Sequence, residues 1–270
     1  MVNLRSRVTR LGVLDIGSNT IHMLIVDAAP GARPDPEAST KSTVRLMQYV
    51  KDDGSIKKSG IEAILTAVDQ CMELAEEYDI TQLLAMATSA IKEAPNSNKI
   101  LRKIEERIGQ SVTVLSGTDE ARLTFLAARR WYGWDAGGLL MLDIGGSSLE
   151  VAMGSDEEPT VALSAAAGAC RITREYLPEG TASVDELEVV RKKVRRILEP
   201  MVDAFPKSKH PAHAVGTSKT FRSLARLAGA VLRQSGREDT WIMTREQLED
   251  WIPRLAAIEP EQRVALPGIT

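Results

Sequence analysis

The sequence has little cysteine, little net charge and no long apolar run. Its two cysteines, Cys71 and Cys170, stand far apart without metal-ligand spacing. That excludes a thiolate zinc site and a disulfide framework, and predicts structural thiols in a reducing compartment. The formal net charge is −3 over 270 residues, so no global basic field is available to attract nucleic acid. A polyanionic ligand would have to be drawn by local charge and by a metal. No apolar stretch approaches membrane-spanning length. The N-terminal Met1-Val2-Asn3-Leu4-Arg5-Ser6-Arg7 has charge but no apolar segment, so it does not read as a signal peptide. His210 and His213 flank Pro211 and lack zinc spacing. Together these absences predict a cytoplasmic protein with neither nucleic acid nor membrane as partner. The length suits two modest domains or one large one.

What is present is one short motif used twice: Leu14-Asp15-Ile16-Gly17-Ser18-Asn19-Thr20 and Leu142-Asp143-Ile144-Gly145-Gly146-Ser147-Ser148. Each lies between apolar runs, which reads as a β-hairpin with a carboxylate at the end of its incoming strand. Seven residues after that carboxylate stands His22 in the first copy and Glu150 in the second. A Gly- and Ser-rich turn leaves backbone N–H groups uncovered, and its hydroxyls add donors, a combination suited to phosphate oxygens. Two such hairpins facing each other would grip a phosphate chain, with the aspartates free to hold a cation. Self-similarity on this scale indicates a duplicated domain.

The rest of the chain supports duplication. The stretch 28–41 reads as a loop and 43–50 as a third strand. Ser59-Gly60-Ile61-Glu62 reads as a capping box opening a helix with Ile61, Ile64, Leu65, Val68 and Met72 on one face. Strands are expected over 83–87 and 112–115, with a helix between them that stops at Gly109 and another from Thr118 to about Trp131. The second hairpin restarts the series: a strand over 160–164, helices over 168–176 and 183–200, a strand over 212–215, and a helix over 219–232. Thr244-Arg245-Glu246-Gln247 caps one more helix, which Pro253 is expected to interrupt. No second-copy equivalent of the 112–115 strand is apparent. The resulting α/β layer pattern resembles the duplicated actin-like fold of actin, sugar kinases and heat-shock ATPases, ribonuclease H-like in each half, with an interdomain cleft. The expected domains are 1–130 and 131–270.

Ser116-Gly117-Thr118-Asp119-Glu120-Ala121-Arg122 places two carboxylates in the first turn of a helix at the junction of the copies. Complementing the helix dipole and acting as a general base are both open to Glu120 on position alone. Five blocks occur in order: the two hairpin motifs (the second running on to Glu150), Ala87-Thr88-Ser89-Ala90-Ile91-Lys92-Glu93-Ala94, the Ser116–Arg122 block, and Val215-Gly216-Thr217-Ser218. Together they resemble the exopolyphosphatase / guanosine pentaphosphate phosphohydrolase (Ppx/GppA) family. The resemblance implies hydrolysis of the terminal phosphate of inorganic polyphosphate, or of pppGpp, with magnesium as cofactor. It implies Glu120 as the base and Asp143 and Glu150 as the metal and water carboxylates, and the hairpin reading adds Asp15 to the metal set. It implies phosphate binding by Gly17, Ser18, Asn19, Thr20, Ser89, Lys92, Gly145, Gly146, Ser147, Ser148 and Gly216. A kinase of the same fold and a non-catalytic polyphosphate or alarmone sensor remain the alternatives.

Three departures from the family pattern stand out. Ser147 occupies a position that is usually glycine and would be strained there if a positive φ is required. Lys92 replaces an arginine, keeping the charge and losing the bidentate fork. The second copy lacks its last strand, so the chain is expected to be C-terminally shortened and to self-associate, as a homodimer for example, over an exposed sheet edge. Arg171 and Arg174 are expected to reach distal phosphates of the substrate. The run from Arg191 to Arg196 reads as a solvated helix face, with chain guidance as the sharper alternative. His22 reads as a packed strand residue.

Overall fold

The computed structural model describes residues 8–29, 35–206, 211–229, 231–235 and 238–266, with backbone alone at 89, 90, 231–235 and 238–240. The chain divides into two compact units, 1–116 and 117–270.

In the first unit, β1 (Thr9–Ile16), β2 (Thr20–Ala28) and β3 (Pro36–Thr43) form an antiparallel meander. Then come α1 (Lys58–Glu77), β4 (Gln82–Ala87), the four-residue α2 (Ser89–Lys92), α3 (Ser97–Ile108) and β5 (Thr113–Val114). The sheet order is β3-β2-β1-β4-β5, with β4 parallel to β1. Leu14, Ile16, Ile21, Met23 and Ile25 alternate onto one face and pack with Ile64, Val68 and Cys71 of α1 and Ile100 and Ile104 of α3. Burial pushes the Cys71 thiol up to about 11, which suits an inert core residue.

The second unit opens with α4 (Gly117–Tyr132), then β6 (Leu139–Ile144), β7 (Leu149–Gly154) and β8 (Val161–Ala165), again an antiparallel meander. It continues through α5 (Ala169–Tyr176), α6 (Val184–Asp203), β9 (His213–Gly216) and α7 (Lys219–Leu227). A hairpin of β10 (Val231–Ser235) and β11 (Glu238–Ile242) follows, then α8 (Arg245–Ala257) and α9 (Pro260–Arg263). The sheet order β8-β7-β6-β9 repeats the first four positions of the first sheet. Among the described residues no strand pairs with the outer edge of β9, as the sequence predicts. Every residue of β7 is buried, because helices cover both faces. Leu139, Met141 and Ala152 meet Phe125 and Ala128 of α4, while Leu149 and Val151 meet Met201 of α6.

Four expectations are corrected. The third strand is Pro36–Thr43 and lies in the stretch expected to be a loop, whereas 43–50 contains a 3₁₀ turn at Leu46–Tyr49. β3 is an edge strand with mostly exposed side chains, so it carries no apolar alternation to betray it. Helix α1 starts at Lys58 without a side-chain cap, so Ser59 is not its N-cap. Helix α8 runs through Pro253. The boundary between the units falls after Ser116 rather than near residue 130, because α4 packs on β6, β7 and β8. The capping boxes at Ser183–Glu186 and Thr244–Gln247 are both formed reciprocally.

Candidate active site

The two hairpin loops are built alike. The Gly17 N–H donates to the Thr20 carbonyl at 3.0 Å, and the Gly145 N–H donates to the Ser148 carbonyl at 3.0 Å. Asp15 stands directly across from His22, and Asp143 directly across from Glu150. Ser147 does not take a positive φ, so the serine sits without strain where the family usually has glycine.

Each loop has its carbonyls captured from behind. In the first unit the N–H groups of Val44 and Arg45 donate to the Asn19 carbonyl at 2.9 and 3.0 Å, and the Leu46 N–H donates to the Ser18 carbonyl at 2.8 Å. Arg45 adopts the left-handed region, φ 50°, a cost to a non-glycine residue that turns three successive N–H groups onto the loop. In the second unit the Gly145, Gly146 and Ser147 carbonyls accept from the N–H groups of Ala169 (2.9 Å), Arg171 (3.0 Å) and Gly168 (3.2 Å). A trans peptide points its N–H opposite to its C=O. Capture of the carbonyls therefore turns the N–H groups of Asn19, Gly146, Ser147 and Ser148 the other way, and none of these four has an acceptor among the described residues. This is the geometry of an anion-binding turn.

Asp143, Glu150 and Ser164 form one row across β6, β7 and β8. Strand alternation puts this row on the α4 face, with Met141 and Ala152. The Ser164 hydroxyl donates to Glu150 Oε1 at 2.8 Å, and the Thr217 hydroxyl donates to Asp143 Oδ2 at 2.6 Å. Glu150 is only 2% exposed. Burial raises its carboxyl above the usual range; the Ser148 and Ser164 hydroxyls pull it back, and the Asp143 charge pushes it further up. Burial likewise raises Asp143, against the Thr217 hydrogen bond.

On α4 the positions 117, 120, 121, 124, 125 and 128 share one stripe at helical spacing, and Ala121, Phe125 and Ala128 are its buried members. Glu120 stands on the flank of this stripe, half-buried, and its Oε2 is shielded from solvent. Gly117 sets the approach: a Cβ there would lie 2.4 Å from the Cβ and Oγ of Ser164. The glycine of the Ser116–Arg122 block thus brings the start of α4 against the residue that donates to Glu150. At the other end Arg129, 2% exposed, donates to the carbonyls of Gly133 and Gly137.

The remaining expected residues are dispersed. Ser89 and Lys92 lie on α2, beside the first loop through the Thr88 N–H bond to the Ile16 carbonyl, 3.2 Å, and Lys92 is exposed. Gly216 ends β9 beside the second loop and packs on Phe221, whose ring a Cβ would approach to 2.5 Å. Asp15 is exposed, yet the protein around it raises its carboxyl, with Lys41 pulling it down. His22 is half-buried between Asp15 and Lys41 in the strand ladder; burial and then Lys41 lower its pKa, favouring the neutral ring. Two carboxylates, Asp143 and Glu150, share the row in the second unit. Among the described residues no group of three His, Cys, Asp or Glu side chains is arranged to hold an ion. His213 stacks on Tyr132 at 5.5 Å, and His210 lies outside the described residues. Arg171, expected at distal phosphates, instead turns its Nε to the Ser147 carbonyl at 2.9 Å. Arg191 pairs with Glu188 at 2.9 Å along its own helix. Sequence reasoning missed Ser164, Thr217 and Gly168. Thr217 lay within a quoted block; the other two carried no local signal.

The raised carboxyls of the row, Asp143 and Glu150, give a pH prediction. A carboxyl raised in the folded state stabilises the fold below its unfolded value, and that contribution is lost as pH rises through the folded value. In metal-free protein the stability contributed by these two groups is therefore lost as pH rises above the ordinary carboxylate range, so Asp143→Asn should gain melting temperature relative to wild type as pH rises. Circular-dichroism melts in chelator at several pH values check this. Parallel slopes in the two proteins would contradict it.

A family model described as the Ppx/GppA phosphatase family matches residues 24–270. Exopolyphosphatase 1 of Mycobacterium tuberculosis is 43% identical over 262 residues, covering 97% of this chain and 76% of that protein. Exopolyphosphatase 1 of Mycobacterium leprae is 41% identical over 261 residues, covering 97% and 77%. The crystal structure of an exopolyphosphatase from Cytophaga hutchinsonii superposes with a TM-score of 0.84 at 24% identity, covering 97% of this chain and 84% of that one. The Aquifex aeolicus Ppx/GppA family member gives 0.75 at 21%, covering 96% and 82%. These likenesses carry the actin-like fold. With the duplicated sheet, the twin loops and the carboxylate row in view, the chain belongs to the Ppx/GppA phosphatase family.

Proposed function

We propose that the protein is an exopolyphosphatase that hydrolyses the terminal phosphate of inorganic polyphosphate. The observation that carries the reading is the Asp143–Glu150–Ser164 row beneath the stripe of α4 that bears Glu120; the names of the mycobacterial relatives support it. In this reading the Gly145–Ser148 turn binds phosphate oxygens through the uncovered N–H groups of Gly146, Ser147 and Ser148, beside Gly216. Gly17 to Thr20, with Ser89 and Lys92, form the phosphate-binding group of the first unit. Glu120 orients a water and takes its proton as the oxygen attacks the terminal phosphorus in line. The water oxygen–phosphorus bond forms, the bridging phosphorus–oxygen bond breaks, and the shortened chain leaves.

Asp143 and Glu150 suit a divalent cation such as Mg²⁺, which binds one or two carboxylates and completes its shell with substrate phosphates and water. Buried Glu150 and half-buried Asp143, facing each other on adjacent strands with both carboxyls raised by desolvation, fit that demand. The cation supplies charge neutralisation at the phosphate oxygens, which phosphoryl transfer needs alongside positioning.

The experiment is orthophosphate release from polyphosphates of several lengths and from pppGpp, side by side, with and without ADP as acceptor. Acceptor-independent release from polyphosphate is the expected result. Transfer only to ADP would make the protein a kinase, and binding without release a sensor. Self-association is part of the proposal, because the outer edge of β9 carries no strand among the described residues. A monomer mass in sedimentation would oppose it.

A further inference from the structure

We propose that Arg171 is a positioning residue that aims and strengthens the N–H donors of the second loop from behind; this rests on that loop being the phosphate cradle. Four hydrogen bonds tie Gly168–Arg171 to the loop, and three of them are backbone bonds of the first turn of α5. The fourth comes from the guanidinium: Arg171 Nε donates to the Ser147 carbonyl at 2.9 Å. That carbonyl belongs to the peptide whose N–H is Ser148's. A charged donor on a carbonyl polarises the whole peptide, so the Ser148 N–H becomes a stronger donor on the opposite side. The Arg171 side chain is 19% exposed, so little water screens this effect.

Gly168 makes the approach possible. A Cβ there would lie 2.4 Å from the Ser147 carbonyl carbon and from the Ser148 nitrogen, closer than real contacts allow. The glycine is needed for proximity, since its φ of −69° is open to any residue. The brace also sets the partner of the Arg171 tip, as Nη1 lies 4.0 Å from Glu175 one turn along α5. Arginine suits this role and lysine does not: only the planar fork can donate through Nε to the loop while its tip faces a carboxylate.

The test compares Arg171→Gln, Arg171→Lys and Arg171→Ala with wild type for orthophosphate release from polyphosphate, for binding of inorganic phosphate and for melting temperature. A charged hydrogen bond on the cradle predicts a loss of about 10- to 100-fold in kcat/KM for all three. Inorganic phosphate should bind more weakly, melting temperature should stay near wild type, and added guanidinium salt should partly restore Arg171→Ala. Gly168→Ala should show the same loss without guanidinium rescue. Wild-type kcat/KM in Arg171→Gln would overturn the proposal, as would an unrescued loss that tracks a fall in melting temperature. If the wild-type protein itself released no phosphate, the hydrolase reading would fail; the phosphate-binding comparison would still decide the brace.

Discussion

Glu120→Gln is expected to cut turnover on polyphosphate by at least about 100-fold, the loss associated with removing a general base. The substitution keeps size and one acceptor oxygen, turns the other into an NH₂ donor, and removes the group that takes the water's proton. Binding should survive, because the proposed phosphate contacts come from the two loops, Ser89 and Lys92 rather than from α4. Stability should also survive. The dipole role of a first-turn carboxylate is worth only about 0.3–1 kcal/mol, and Asp119 shares that turn. Turnover by the purified variant, with phosphate affinity and melting temperature alongside, checks the assignment. Near-wild-type turnover would return Glu120 to a helix-dipole role.

The second large effect is expected for Asp143→Ala. Asp143 lies at the end of β6, directly opposite Glu150, with Thr217 fixing one of its oxygens. Removing it leaves one carboxylate of the proposed pair, so the magnesium concentration for half-maximal activity should rise by at least about tenfold, the scale of one lost charged contact. His22→Ala, at the matching position of the first hairpin, should leave the magnesium titration unchanged. Asp143 is half-buried and burial disfavours its charged form, so Asp143→Ala is expected to stay folded although Thr217 loses its acceptor, and a melting curve accompanies the titration. Identical titrations for Asp143→Ala and wild type would show that the cation is held elsewhere.

Much of this site is legible in the sequence, for a physical reason. The turn chemistry of Asp15–Thr20 and Asp143–Ser148 is local, so repetition of the motif exposes the duplication and its loops before any fold is known. That the second sheet has four strands among the described residues, against five in the first, follows from the same comparison. Edge strand β3 was invisible, because an exposed strand needs no apolar alternation. The placement of α4 was misjudged for a different reason. Its apolar stripe says that it packs on a sheet and not which one, and Phe125 and Ala128 choose the second sheet. The braces were hidden most completely. Arg45 works through a left-handed backbone, Gly168 through a close approach, and Arg171 through a carbonyl many residues away. None of these leaves a pattern along the chain.

The central claim is that an activated water attacks the terminal phosphate of polyphosphate. Digestion of polyphosphate in heavy-oxygen water, followed by mass analysis of the released orthophosphate, tests this most directly. The account predicts that each released orthophosphate carries a single oxygen from the solvent, with no acceptor present, and that Glu120→Gln abolishes the label together with the release. Release that requires ADP, or orthophosphate without solvent oxygen, would contradict it.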